Sequence, residues 1–160
     1  MCRVRRQVEL ILRYALAVGV GVLVVIADLV TKRNAAINFS ESVVELIPGF
    51  LSFTFHENPG AAFSLFQNAG AFLGAAAIGI TIFVLIMLRT TRPLLETLAL
   101  GLILGGAIGN LTDRLFRGAG VLDGRVIDWV NLSVIPTFNV ADAAITSAVG
   151  LLLIQAWRTR

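Results

Sequence analysis

The chain has 160 residues, 57% hydrophobic and 14% charged, with a formal net charge of +3. A soluble domain carries roughly 25% charged residues. The apolar residues here gather in runs near the ~20 needed to cross a ~30 Å hydrocarbon core, which excludes an ordinary soluble globule. One cysteine, Cys2, excludes an internal disulfide.

The first predicted span covers residues 8–27. Its length, and the lack of a convincing small-residue cleavage site before polar chain resumes, predict a retained first span rather than a removed signal peptide. Arg13, near its start, can snorkel to the headgroups. The span ends at Asp28, Thr31, Lys32 and Arg33. Asp28 precedes Lys32 by four residues, the favourable order for a helical ion pair. A polar stretch then runs over 34–57. Near its end Leu51, Phe53 and Phe55 alternate with Ser52, Thr54 and His56. That period of two predicts a short strand with one apolar face, lying on the membrane surface.

Residues 59–68 are rich in turn formers and small side chains, which predicts a loop or re-entrant entry. A second span follows over 69–88, ending at Arg89 and Arg92. Pro93 opens the third span, 94–111, with Glu96 in the first turn where the helix dipole favours an acid. A second polar stretch covers 112–138. The fourth span, 140–157, is followed by Arg158 and Arg160. The expected fold is an all-α membrane protein: one polytopic domain, 1–160, of four transmembrane helices with a small β-like or amphipathic element outside. Arg3, Arg5, Arg6, Arg13, Arg89, Arg92, Arg158 and Arg160 fall on one side of this topology. The positive-inside rule makes that side cytoplasmic and places both termini there.

Asp28, Asn58, Asn110, Asp113, Arg114, Asp128, Asn139 and Asp142 fall at or near the opposite ends of the spans. Ionisable groups at such depth are costly and point to function. Asp128 and Asp142 could form a carboxyl pair in which one acid keeps its proton and the other activates water. Such a pair hydrolyses a peptide bond without metal or cofactor. The plainer alternative makes Asn139 a helix N-cap with Asp142 three residues in, and Asp128 a solvated loop acid. Asn110, Asp113 and Arg114 share one helix face, either as a polar platform for substrate or as an interfacial helix end. With His56 the only histidine, no metal site is expected. Basic residues are not interleaved with aromatics, so no nucleic-acid partner is expected. Two other classes fit the spans: a small proton-coupled transporter, whose acids would sit near the midplane, and a non-catalytic membrane subunit.

Five segments occur in order: Asp28-Leu29-Val30-Thr31-Lys32, Asn58-Pro59-Gly60-Ala61-Ala62-Phe63-Ser64, Gly109-Asn110-Leu111-Thr112-Asp113-Arg114, Val126-Ile127-Asp128-Trp129 and Phe138-Asn139-Val140-Ala141-Asp142. Together they make the chain similar to bacterial lipoprotein signal peptidase, also called signal peptidase II. The resemblance implies an aspartic endopeptidase of the inner membrane. It would cut diacylglyceryl-modified prolipoproteins on the amino side of the lipidated cysteine. Asp128 and Asp142 match the family's catalytic aspartates. Asn58, Asn110, Arg114 and Asn139 match supporting polar positions, Asp28 and Lys32 the first motif, and Asp113 the third. Sensitivity to globomycin is implied as well. The motifs depart from the family at Leu29, where glutamine is usual, and the loop from Asp128 to Asn139 is short beside some members. Substrate lipoprotein and membrane lipid are the expected partners, and nothing requires more than a monomer.

Overall fold

A computed structural model describes residues 2–60, 70–90 and 92–159. Its elements are α1 (Cys2–Asn38), β1 (Val44–Ile47), β2 (Leu51–Asn58), α2 (Gly70–Met87), α3 (Leu94–Phe116), β3 (Val126–Leu132), β4 (Ile135–Phe138) and α4 (Val140–Arg158). Each of the four helices is long and apolar enough to cross a membrane. Most of the stretch expected as a loop or re-entrant entry lies outside the described residues.

Two helices run past their expected outer ends. α1 continues beyond residue 27 to Asn38, and α3 beyond residue 111 to Phe116. Asp28, Lys32, Asp113 and Arg114, among the polar residues that suggested an end, are buried in a polar cluster instead, with Asp28 and Lys32 both 0% exposed, while Arg33 is exposed. Thr31 Oγ1 donates back to the Ala27 carbonyl at 2.8 Å, so it too sits within a continuing helix. A backbone ladder does not break at a polar side chain that has a partner.

α3 is the central helix, with α1, α2 and α4 packed on it. Small residues allow this close approach, as they do generally where membrane helices cross. A Cβ at Gly105 would stand 2.6 Å from the Gly21 carbonyl oxygen and 2.6 Å from Val24 Cβ. Gly79 faces open space. Gly105→Ala is therefore expected to force α1 from α3 and cost about 1–3 kcal/mol, lowering the thermal midpoint in detergent. Gly79→Ala is expected to leave that midpoint unchanged or raise it, through better helix propensity.

The expected strand is β2, one of four in an antiparallel sheet ordered β1-β2-β3-β4. β3 carried no alternating signal because its first three residues are all buried. Aromatic rings seat the sheet on the end of α1. Phe39 and Phe53 have centroids 5.6 Å apart, and Phe53 meets Trp129 edge-on at 5.1 Å. In the β2–β3 register, His56 pairs with Asp128 and Asn58 with Val126. The end of β2 thus lies beside the start of β3, where the polar residues gather.

Candidate active site

Five elements converge at one end of the bundle. α1 supplies Asp28 and Lys32, β2 ends on Asn58, α3 carries Asn110, Asp113 and Arg114, β3 carries Asp128, and Asn139 and Asp142 open α4. Beside them lies a cavity of about 740 Å³. Its polar wall includes Asn58, Asn110, Arg114, Asp128 and Asp142, and its largely apolar walls come from α2 and α4, among them Leu73, Ile80 and Ile145. Asp28, Lys32, Asp113 and Asn139 stand behind that wall rather than in it.

Asparagine amides hold both front carboxylates. Asp128 Oδ2 accepts from Asn58 Nδ2 at 2.9 Å, and its Oδ1 accepts from Asn139 Nδ2 at 2.7 Å. Asp142 Oδ1 accepts from Asn110 Nδ2 at 2.8 Å, and its Oδ2 from the Asn139 backbone N–H at 3.3 Å. Asn139 Oδ1 in turn accepts from the Asp142 backbone N–H at 2.9 Å, which completes a capping box on α4. The cap and the carboxyl pair are therefore one arrangement. The reciprocal bonds that start the helix tie Asp142 to the same asparagine that holds Asp128.

Backbone groups fix the amide of Asn58. Its Oδ1 accepts from the Gly60 N–H at 3.0 Å, which turns the NH₂ end toward Asp128. Arg114 locks this turn: Nη2 donates to the Gly60 carbonyl at 3.0 Å and Nη1 to the Gly124 carbonyl at 3.4 Å. The guanidinium thus clasps two loops while its edge lines the cavity.

Asp128 is 2% exposed. Burial pushes its carboxyl up to about 6, and the charge of Asp142 pushes the same way. The donors on Asn58 and Asn139 and the charge of Lys32 pull back against that rise without cancelling it. This is the pattern of a carboxyl able to keep its proton near neutral pH.

The rear layer is ionic. Lys32 Nζ lies 2.6 Å from Asp28 Oδ2, an ion pair without hydrogen-bond alignment. It lies 2.8 Å from Asp113 Oδ2 and donates to Asn110 Oδ1 at 3.0 Å. The two acids also grip the segments that carry the front pair. Asp28 Oδ1 accepts from the Ala141 N–H at 2.9 Å, and Asp113 Oδ2 from the Ile127 N–H at 3.3 Å. Gly109 leaves room for this, since a Cβ there would fall 2.7 Å from Asp28 Oδ2. Arg117 pairs with Asp113 Oδ1 at 2.7 Å and balances its charge. Arg117 and Gly109 were not singled out from the sequence. The acid-to-base spacing of four residues from Asp113 to Arg117 repeats that of Asp28 and Lys32 and could have found the first of them.

Four apolar helices with a polar, carboxylate-bearing cavity where their ends meet define a multi-pass membrane protein built around a buried site. Comparison with known proteins sharpens that class. The family model described as signal peptidase (SPase) II matches residues 20–158, and the chain belongs to this bacterial peptidase family. The lipoprotein signal peptidase of Rhodococcus jostii (strain RHA1) is 43% identical over 143 residues, covering 89% of this chain and 72% of that one. The lipoprotein signal peptidase of Parasynechococcus marenigrum (strain WH8102) is 38% identical, with 94% of each chain covered. A solved structure described as a bacterial membrane enzyme superposes with a TM-score of 0.78 at 30% identity, over 89% of this chain and 87% of that chain. A second gives 0.74 at 31% identity, over 88% and 91%.

Proposed function

We propose that this chain is an aspartic endopeptidase that removes the signal peptide of diacylglyceryl-modified prolipoproteins, cutting on the amino side of the lipidated cysteine. The observation that carries this reading is the joint tethering of Asp128 and Asp142 by Asn139 on the wall of one cavity. Family membership favours a peptidase over a transporter or a non-catalytic subunit.

In this mechanism a water sits between the two carboxyls, which share one proton. The ionised member takes a proton from water as the oxygen attacks the scissile carbonyl. The protonated member then gives its proton to the departing amide nitrogen. The shared proton belongs to the pair, so its macroscopic titration is what kinetics reads. Asn58, Asn110 and Asn139 hold the carboxyls, and Arg114 holds the loops around them. Asp28, Lys32 and Asp113 support from behind. The signal helix and acyl chains enter laterally and lie against the apolar walls from α2 and α4.

The whole of 1–160 acts as one membrane domain and as a monomer. Both termini are cytoplasmic and the sheet lies on the outer face. No metal or cofactor takes part, and a globomycin-type cyclic peptide competes for the cavity.

Purified protein in lipid bicelles is expected to cleave a synthetic diacylglyceryl lipopeptide, with or without a metal chelator. The singly protonated pair is the competent form. It loses its proton as pH rises through about 6, the value to which Asp128 is raised. Above that point kcat/KM is expected to fall roughly tenfold per pH unit. A flat profile from pH 5 to 8, or loss of cleavage on chelation, would reject the reading.

A further inference from the structure

An asparagine amide has two ends of opposite hydrogen-bonding character. A site that needs its N–H must therefore settle which end faces the carboxylate. For Asn58 a backbone N–H settles it, and for Asn139 the N–H of Asp142 does. Asn110 differs. Its Oδ1 receives Lys32 Nζ at 3.0 Å and Asn139 Nδ2 at 3.2 Å. An ammonium only donates, so only the oxygen of Asn110 can face it.

Lys32 is spent on this cluster. Its ammonium lies 2.6 Å from Asp28 Oδ2 and 2.8 Å from Asp113 Oδ2, and it donates a hydrogen bond to Asn110 Oδ1 at 3.0 Å. The residue is 0% exposed and does not line the cavity. An ammonium buried this completely is tolerated only with close counter-charges and hydrogen bonds to its remaining protons. Asp28 and Asp113 supply the charges, and Asn110 takes the hydrogen bond.

We propose that Lys32 is a positioning residue that sets the orientation of the Asn110 amide and so directs its N–H onto Asp142 Oδ1. This rests on the reading of Asp142 as a catalytic carboxylate. Lys32 touches neither substrate nor the reacting atoms. Beside the pull of its charge on Asp128, it acts through a single intervening side chain, Asn110.

The test is a mutant cycle on lipopeptide cleavage, read as kcat and KM. Lys32→Met strands Asp28, whereas Asp113 keeps Arg117, so the charge-balanced double variant Asp28→Asn/Lys32→Met is used beside it. Loss of one oriented donor costs on the order of 10²–10³ in turnover. The double variant is expected to lower kcat by about 10²-fold with KM within about threefold. Adding Asn110→Ala to it is expected to be no worse than Asn110→Ala alone, since the two act as one unit. Additive losses would overturn the proposal, because they describe a cluster that only holds helices together.

Asn110→Asp serves as a second variant that leaves Lys32 fully paired. It replaces the donor toward Asp142 with an acceptor. The expected result is a folded protein with kcat down at least about 10²-fold, and near-normal turnover would overturn the proposal. The side-chain amide signal of Asn110 in selectively labelled protein gives a readout independent of turnover. It is expected to shift when Lys32 is replaced, and an unmoved signal would also overturn the proposal. If Asp142→Asn kept full activity, the aspartic reading would fall, yet the amide signal could still answer to Lys32. The two failures are thus distinguishable.

Discussion

Asp142→Asn is expected to insert and bind lipopeptide normally while cleaving it on the order of 10⁴-fold more slowly, the scale of a lost acid–base group. The change is nearly isosteric, so the cavity keeps its shape. One end of the new amide can still accept from the Asn139 N–H, the bond that Asp142 Oδ2 makes at 3.3 Å. The other end meets Asn110 Nδ2, now donor against donor, where the carboxylate accepted at 2.8 Å. Asp128→Asn meets the same conflict, because both of its oxygens accept from amide NH₂ groups at 2.9 and 2.7 Å. Both variants are expected to lose cleavage to a similar extent, and the double variant to lose little more, as groups that act as a unit do. Lipopeptide binding and the thermal midpoint serve as controls for folding. Cleavage within tenfold of wild type in either variant would leave the carboxyl pair without a catalytic role.

The four helices are legible because their apolar runs match the thickness of a bilayer, a requirement that local context does not alter. The ends of α1 and α3 beside the cavity are not, and the reason lies in Asp28, Lys32 and Asp113. Polar residues at the end of an apolar run read as arrival at water. Here they turn inward and find one another, at 2.6 and 2.8 Å. No one-dimensional pattern separates a polar residue that faces solvent from one that faces a partner far along the chain. The same limit applies to front and back in the site. Asn110 and Asp113 lie one turn apart on α3, yet Asn110 lines the cavity and Asp113 holds Lys32 and the Ile127 N–H. Their spacing predicts a shared face but not which of them meets a substrate. β2 showed itself through its alternation, whereas β3 enters the core at Val126, Ile127 and Asp128, all buried, and so lacked a period of two. In the sequence, a capping position and a carboxyl pair are alternative readings of Asp142. Asn139 caps α4 with one end of its amide and holds Asp128 with the other, which a sequence motif does not distinguish.

That double duty of Asn139 makes it separable by mutation. Its Oδ1 caps α4 by accepting from the Asp142 N–H, and its Nδ2 donates to Asp128 Oδ1 at 2.7 Å. Serine at this position keeps a cap acceptor but has no second end to reach Asp128. Alanine keeps neither. Loss of an N-cap costs about 1 kcal/mol, so Asn139→Ala is expected to melt below Asn139→Ser. Turnover should not follow that order. Both variants lack the donor to Asp128, and both are expected to lose on the order of 10²–10³ in kcat. The measurement is a thermal midpoint and a kcat for each variant in the same bicelles. If serine restored turnover along with stability, the amide would matter only as a cap. If the two variants split in stability and matched in turnover, the Nδ2 bond to Asp128 would carry the catalytic effect and the Oδ1 bond the structural one.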